Sequence, residues 1–379
     1  MKRFVFPGFL LSLTAAGACS SGGGTTTGTG GAHSASSGAS TSTSAASTTS
    51  TTATAGSTTA TTGTTGTTTS GTTGTGGAGG GTTGTGGAPA CPTCVVVATL
   101  PAGSKPYGIA VDATNVYWTN SGTGEVMQAK TDGTGKVTLK TGEDTPRPIV
   151  LFGGSVYWAS YSSAATAAIR KAPIGGGAVV DLTKAPTAVD LAVGTGFIWW
   201  TREPDDLQSI PIGGVPDGGT AGLLTGNPLA NAITADATSI YWVNQQDGNV
   251  KKAGYDLGND TVLANGDIPF GIAVDGTSVY WTEAGSGPNI GKVMKAPKTN
   301  GAGPTQIAGA QATPQGIAVD ATSVYWANLA DGTINKAPIA GGAATVLAKG
   351  QQKPVKIALD ATHVYWANTA GDTIMKVGK

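Results

Sequence analysis

Pro314-Gln315-Gly316-Ile317-Ala318-Val319-Asp320-Ala321-Thr322-Ser323-Val324-Tyr325-Trp326-Ala327-Asn328 decides how this chain is read. Leu329-Ala330-Asp331-Gly332, Thr333-Ile334-Asn335-Lys336-Ala337-Pro338-Ile339, Ala340-Gly341-Gly342 and Ala343-Ala344-Thr345-Val346-Leu347-Ala348 follow it. Four short segments of β character alternate with turn residues. Asp-Ala-Thr, Asp-Gly and Ala-Gly-Gly supply the side-chain bonds and positive φ that tight connections need. The first segment is small and apolar, as an innermost strand crowded near an axis has to be.

The unit recurs. Tyr-Trp or a near variant places tryptophan at 118, 158, 200, 242, 281, 326 and 366, with spacings of 40, 42, 42, 39, 45 and 40 residues. A period near forty with several strands inside it marks a β-propeller blade. Tyr107-Gly108-Ile109-Ala110-Val111-Asp112, Phe270-Gly271-Ile272-Ala273-Val274-Asp275 and Lys356-Ile357-Ala358-Leu359-Asp360 repeat the first strand. Ile169-Arg170-Lys171-Ala172-Pro173-Ile174, Val293-Met294-Lys295-Ala296-Pro297 and Ile374-Met375-Lys376 repeat the third.

Strand counting predicts the closure. The last repeat stops at Lys379, before a fourth strand, while Cys94-Val95-Val96-Val97-Ala98-Thr99-Leu100 precedes the first repeat unclaimed. Placed beside residues 373–379, that segment completes 28 strands in seven four-stranded antiparallel blades and covers the last sheet edge. The expected fold is all-β: a seven-bladed propeller over residues 91–379, closed by its N-terminal strand.

Ile/Leu-Ala-Val-Asp followed by Tyr-Trp-Thr/Ala-Asn resembles the YWTD-type propeller repeat of lipoprotein-receptor ectodomains, and related repeats in bacterial surface lipoproteins. The resemblance covers about residues 95–379 and implies the fold. This chain departs from it twice. YWTD domains have six blades where seven repeats are counted here. The final Asp is replaced by Asn120, Asn244, Asn328 and Asn368, and by Ser160, Arg202 and Glu283. Receptor-type ligand binding therefore does not carry over.

Residues 1–18 read as a signal peptide: Lys2 and Arg3, then an apolar stretch too short and interrupted to span a membrane. Ala16-Gly17-Ala18-Cys19 fits ordinary Ala-x-Ala cleavage and also resembles a bacterial lipobox. We take lipidation of Cys19 as the main reading. It predicts an outer-membrane or cell-surface protein held by its lipid anchor; the alternative is a periplasmic or secreted protein. Residues 20–90 hold no Lys, Arg, Asp, Glu or aromatic residue. With the lipidated N-terminus they form a low-complexity segment, 19–90, that cannot offset its backbone entropy and is expected to be a disordered tether. Its expected reach is roughly 45–50 Å. Of three cysteines, Cys91 and Cys94 remain once Cys19 is assigned, and an exported chain can join them. Cys91-Pro92-Thr93-Cys94 also has the CxxC spacing of thiol oxidoreductases, but no helix is expected there to lower a thiol pKa.

Composition excludes some functions. Formal net charge is zero, charged residues are 12%, and no basic run exists. Nothing supports binding of nucleic acid. The repeated Asp112, Asp236, Asp275, Asp320 and Asp360 sit at the first hairpin of each repeat, where a carboxylate caps the turn. Lys171, Lys252, Lys295, Lys336 and Lys376 read as inter-blade pairs or a solvated rim. The two histidines, His33 and His363, form no catalytic constellation with Ser, Asp or Glu. No cofactor, metal site or catalytic residue is assigned.

The informative residues break the repeat. Repeats two and three lose the turn Asp to Phe152 and Gly194, and add Arg147, Tyr161, Arg202, Glu203, Asp205 and Asp206. Second-to-third-strand loops and blade connections share one face of a propeller, where ligands usually bind. Arg147, Tyr161, Arg202 and Glu203 are the candidate binding residues. The expected function is a non-enzymatic surface module that binds a protein or polysaccharide. The alternative is an exported propeller enzyme of lactonase or lyase type, with a metal at the channel mouth.

Overall fold

The repeat quoted above folds as four antiparallel strands, Pro314–Val319, Ser323–Asn328, Thr333–Pro338 and Thr345–Ala348. Six such sheets follow in chain order over residues 106–140, 146–184, 188–224, 230–265, 269–311 and 314–348. We call them blades 1 to 6. Blade 7 takes Pro354–Leu359, His363–Asn368 and Thr373–Gly378 from the C-terminus and Val95–Thr99 from the N-terminus. Innermost strands of successive blades touch in a closed cycle, blade 7 meeting blade 1. The chain is thus an all-β, seven-bladed propeller. The computed structural model describes residues 91–164, 166–215, 222–299 and 303–379. The expected signal peptide, Cys19 and the expected tether lie outside the described residues.

The clasp forms as the strand count requires. Val95 pairs with Lys376, Val96 with Met375, Ala98 with Ile374 and Thr99 with Thr373, with one irregularity between Val96 and Ala98. Val97, Ala98 and Leu100 are buried among Trp118 and Ile109 of blade 1 and Tyr365 and Ile374 of blade 7. The N-terminal strand therefore seals the seam between the first and last blades. Just ahead of it, Cys91 and Cys94 are joined by a disulfide, and Cys91 is buried against blades 6 and 7.

Each Tyr-Trp pair supplies core. The seven repeat tryptophans and Trp199 are fully buried. Their neighbours come from two blades: Trp366 packs with Tyr325, Ala327 and Ile334 of blade 6 and with Ile357 and Met375 of its own. Burial leaves each indole N–H needing an acceptor. Trp326 and Trp366 donate to Gln311 Oε1 and Gln351 Oε1 at 2.8 and 2.9 Å, and Trp242 donates to Asn227 Oδ1 at 3.0 Å.

The repeated aspartates are turn caps. Asp275 Oδ1 accepts the N–H groups of Thr277 and Ser278 at 2.7 and 2.8 Å, and Oδ2 accepts the Tyr280 hydroxyl at 2.6 Å. Asp112, Asp236, Asp320 and Asp360 repeat the pattern with Tyr117, Tyr241, Tyr325 and Tyr365. Three of the five repeated lysines link blades. Lys252, Lys295 and Lys376 donate to the carbonyls of Lys298, Ile339 and Thr131 in the next blade. Each ammonium also lies over a tyrosine of its own blade, 5.5–5.8 Å from the ring centre.

This device predicts an acid-sensitive domain. Burial alone would raise the five aspartate pKa values, but backbone and tyrosine hydrogen bonds, joined by Lys298 at Asp236 and Lys379 at Asp320, outweigh it and the net direction is down. A carboxyl depressed on folding stabilises the fold above its unfolded pKa and loses that contribution as pH falls through the folded value. Thermal stability should therefore drop below about pH 4, where unfolded aspartates begin to bind protons. Asp275→Asn should lower the melting temperature at neutral pH and weaken this acid dependence. Equal pH profiles for Asp275→Asn and the parent would contradict it.

Candidate site at the channel mouth

Inner strands approach so closely that their third residue is constrained. A Cβ at Gly108, Gly271 or Gly316 would lie 2.0–2.4 Å from a carbonyl oxygen of the next inner strand. Five blades keep that position small or cyclic: Gly108, Pro148, Ala232, Gly271 and Gly316. Threonines of the Tyr-Trp-Thr segments stitch the approach. Thr119 accepts the Gly108 N–H at 2.9 Å and donates to the Arg147 carbonyl at 2.8 Å, and Thr282 does the same between Gly271 and Gln315.

Two blades put a charge there. Asp190 of blade 3 and Lys356 of blade 7 meet across the bore, with Nζ 3.0 Å from Oδ2. Asp190 Oδ2 also accepts the Ile233 N–H at 3.3 Å. Burial works against the Lys356 ammonium, but Asp190 and then Tyr107 outweigh it, so its pKa is raised and it stays charged. The pair borders a cavity of about 330 Å³ lined by inner-strand residues, among them Ile149, Ile233, Thr234, Ile272 and Ile317.

Arg147 and Tyr107 stand one residue earlier on their inner strands, at the loop-face end of the bore. Arg147 lies between two rings, 3.6 Å from the centre of Tyr161 and 5.3 Å from that of Tyr107. Tyr161 donates its hydroxyl to Glu203 Oε2 at 2.7 Å. Burial raises the phenol pKa, and the bond and charge of Glu203 raise it further. Glu203 comes from blade 3, Tyr161 and Arg147 from blade 2, and Tyr107 from blade 1. A chain of charged and aromatic groups thus runs from the blade 3 loop to the bore, ending at Lys356 and Asp190.

Of the four sequence-predicted residues, the structure brings Arg147, Tyr161 and Glu203 together. It sets Arg202 apart, paired instead with Asp206 at 2.5 Å. Asp190 and Lys356 were missed by sequence reasoning. The signal was the third inner-strand position, small in five repeats and charged in two. His363 bonds to Thr362 in a first-to-second-strand hairpin, at the opposite end of the blade from this mouth. Among the described residues, no three His, Cys, Asp or Glu side chains group as a metal site would require.

No family model and no curated protein matches the chain. Solved structures do. The chain is similar to virginiamycin B lyase from Staphylococcus aureus, with 17% identity and a TM-score of 0.61, covering 74% of this chain and 98% of that one. A catalytically inactive variant of that lyase with quinupristin matches at 16% identity and a TM-score of 0.60, over 76% and 99% of the two chains. The WD40 β-propeller domain of Doa1 matches at 11% identity and a TM-score of 0.60, over 75% and 96%. At these identities the shared property is the fold: the chain is a seven-bladed β-propeller whose chemistry must be argued from its own residues.

Proposed function

We propose that this chain is a surface-anchored binding module that holds a protein or polysaccharide at the loop face, around the channel mouth of blades 1 to 3. One observation carries the reading. Residues that break the repeat converge on one place, where Arg147 stacks on Tyr161 and Tyr161 is fixed by Glu203. Aromatic and arginine side chains held in place before binding suit a recognition surface, because little side-chain entropy remains to be lost. Cys19 supplies the anchor in this proposal, with residues 20–90 as the spacer.

Binding is tested on immobilised glycans and candidate surface proteins. Truncating Arg147 and Tyr161 together to alanine should weaken retention about tenfold or more, with little change in melting temperature. Unaltered retention would place the site elsewhere. Turnover of a lactone or ester that a chelator abolishes would favour the enzyme reading instead. The anchor has its own test: Cys19→Ala should move the protein from the membrane to the soluble fraction. A variant that stayed with the membrane would remove lipidation from the proposal.

A further inference from the structure

The Asp190–Lys356 pair has no counterpart in the other five blades and is not needed to build one. Blades 3 and 7 are separated by two blades one way round the ring and three the other, so the pair spans the bore itself. Its hydrogen-bonding capacity is only partly used. Among the described residues, Lys356 donates one bond, to Asp190, and Asp190 Oδ1 accepts none. An ammonium has three donors and a carboxylate has room on both oxygens. Donor and acceptor therefore lie side by side with capacity to spare, at one end of a cavity of about 330 Å³ that runs along the inner strands toward Val274 and Val319. That volume lies at the lower end of small-molecule pockets.

Charge narrows what fits. An anion in this cavity would face the Asp190 carboxylate; a cation would face the Lys356 ammonium. A purely apolar group would strip water from the ion pair and return no hydrogen bond. A neutral polyol meets all these conditions. Neighbouring hydroxyls can accept from Lys356 and donate to Asp190 while the pair stays intact. We infer that the central bore beside the Asp190–Lys356 pair is a subsite for the end of a neutral saccharide chain, held by Asp190 and Lys356. The inference rests on the loop-face binding proposal and narrows its ligand to neutral sugars.

The test titrates the full chain, by calorimetry, with glucose, galactose, mannose, N-acetylglucosamine and cellobiose, and with glucuronate and galacturonate. At least one neutral sugar should bind roughly tenfold tighter than the uronates. The double variant Asp190→Asn/Lys356→Gln keeps side-chain size and removes both charges, so it avoids leaving one buried charge unpaired. It should lose roughly tenfold or more of that affinity, and its melting temperature shows whether the fold is kept. Two results overturn the subsite: uronates binding while neutral sugars do not, or no sugar binding at millimolar concentration. Neutral binding that survives the double variant but is lost in Arg147→Ala/Tyr161→Ala would sink the bore subsite and leave the loop-face proposal standing. A double variant that melts lower yet binds sugar normally would make the pair a structural strut only.

Discussion

Deleting residues 91–100 should cost the domain roughly 5 kcal/mol or more, most of the stability of an ordinary domain. The clasp buries Val97, Ala98 and Leu100 in the seam between blades 7 and 1. Fully burying one branched apolar side chain contributes about 1.5–3 kcal/mol. The deletion also exposes the edge of Thr373–Gly378, which is otherwise paired from Lys376 to Thr373. An open edge of that kind invites pairing between molecules. Urea unfolding of the deleted chain should show a sharply lower midpoint and concentration-dependent aggregation. A midpoint equal to that of the parent would contradict the closure.

Trp366→Ala should cost about 3–5 kcal/mol. The side chain is fully buried where blades 6 and 7 meet, and its removal leaves a cavity that two packed sheets cannot both collapse into. Gln351 Oε1 would keep the Asn368 amide at 2.9 Å after losing the indole, so the main loss is packing. Val346→Ala, on an exposed outer strand of blade 6, is the control and should stay within about 0.5 kcal/mol. Similar losses in both variants, read from urea midpoints at equal slope, would mean that the tryptophan is not core.

The fold was legible because its physics repeats. Six Tyr-Trp pairs and one Trp-Trp pair at a spacing near forty residues mark seven buried seams, and a missing fourth strand at Lys379 with a spare one at Val95 marks the clasp. The aspartate caps were legible for the same reason: a cap, its two backbone donors and its tyrosine fall within six consecutive residues. The site was legible only in part. Arg147, Tyr161 and Glu203 stand out against the repeat, and the propeller's geometry puts their loops on one face. Asp190 and Lys356 are 166 residues apart, and nothing local says that they meet. Their pairing follows from ring closure, which brings blades 3 and 7 to opposite walls of one narrow bore. Arg202 also breaks the pattern, but its partner Asp206 lies four residues away, so its charge is met within its own blade.

The central claim is that the loop-face mouth of the bore is where this propeller holds its ligand. Amide hydrogen exchange of the full chain, with and without a glycan or protein that retains it on a column, tests this most directly. The account predicts slowed exchange at the inner-strand starts near residues 106–108, 146–148, 188–190 and 354–356 and in the loops after Ser160 and Arg202. Protection confined to the opposite hairpins near Asp275 and Asp320, or to the outer strands, would contradict it.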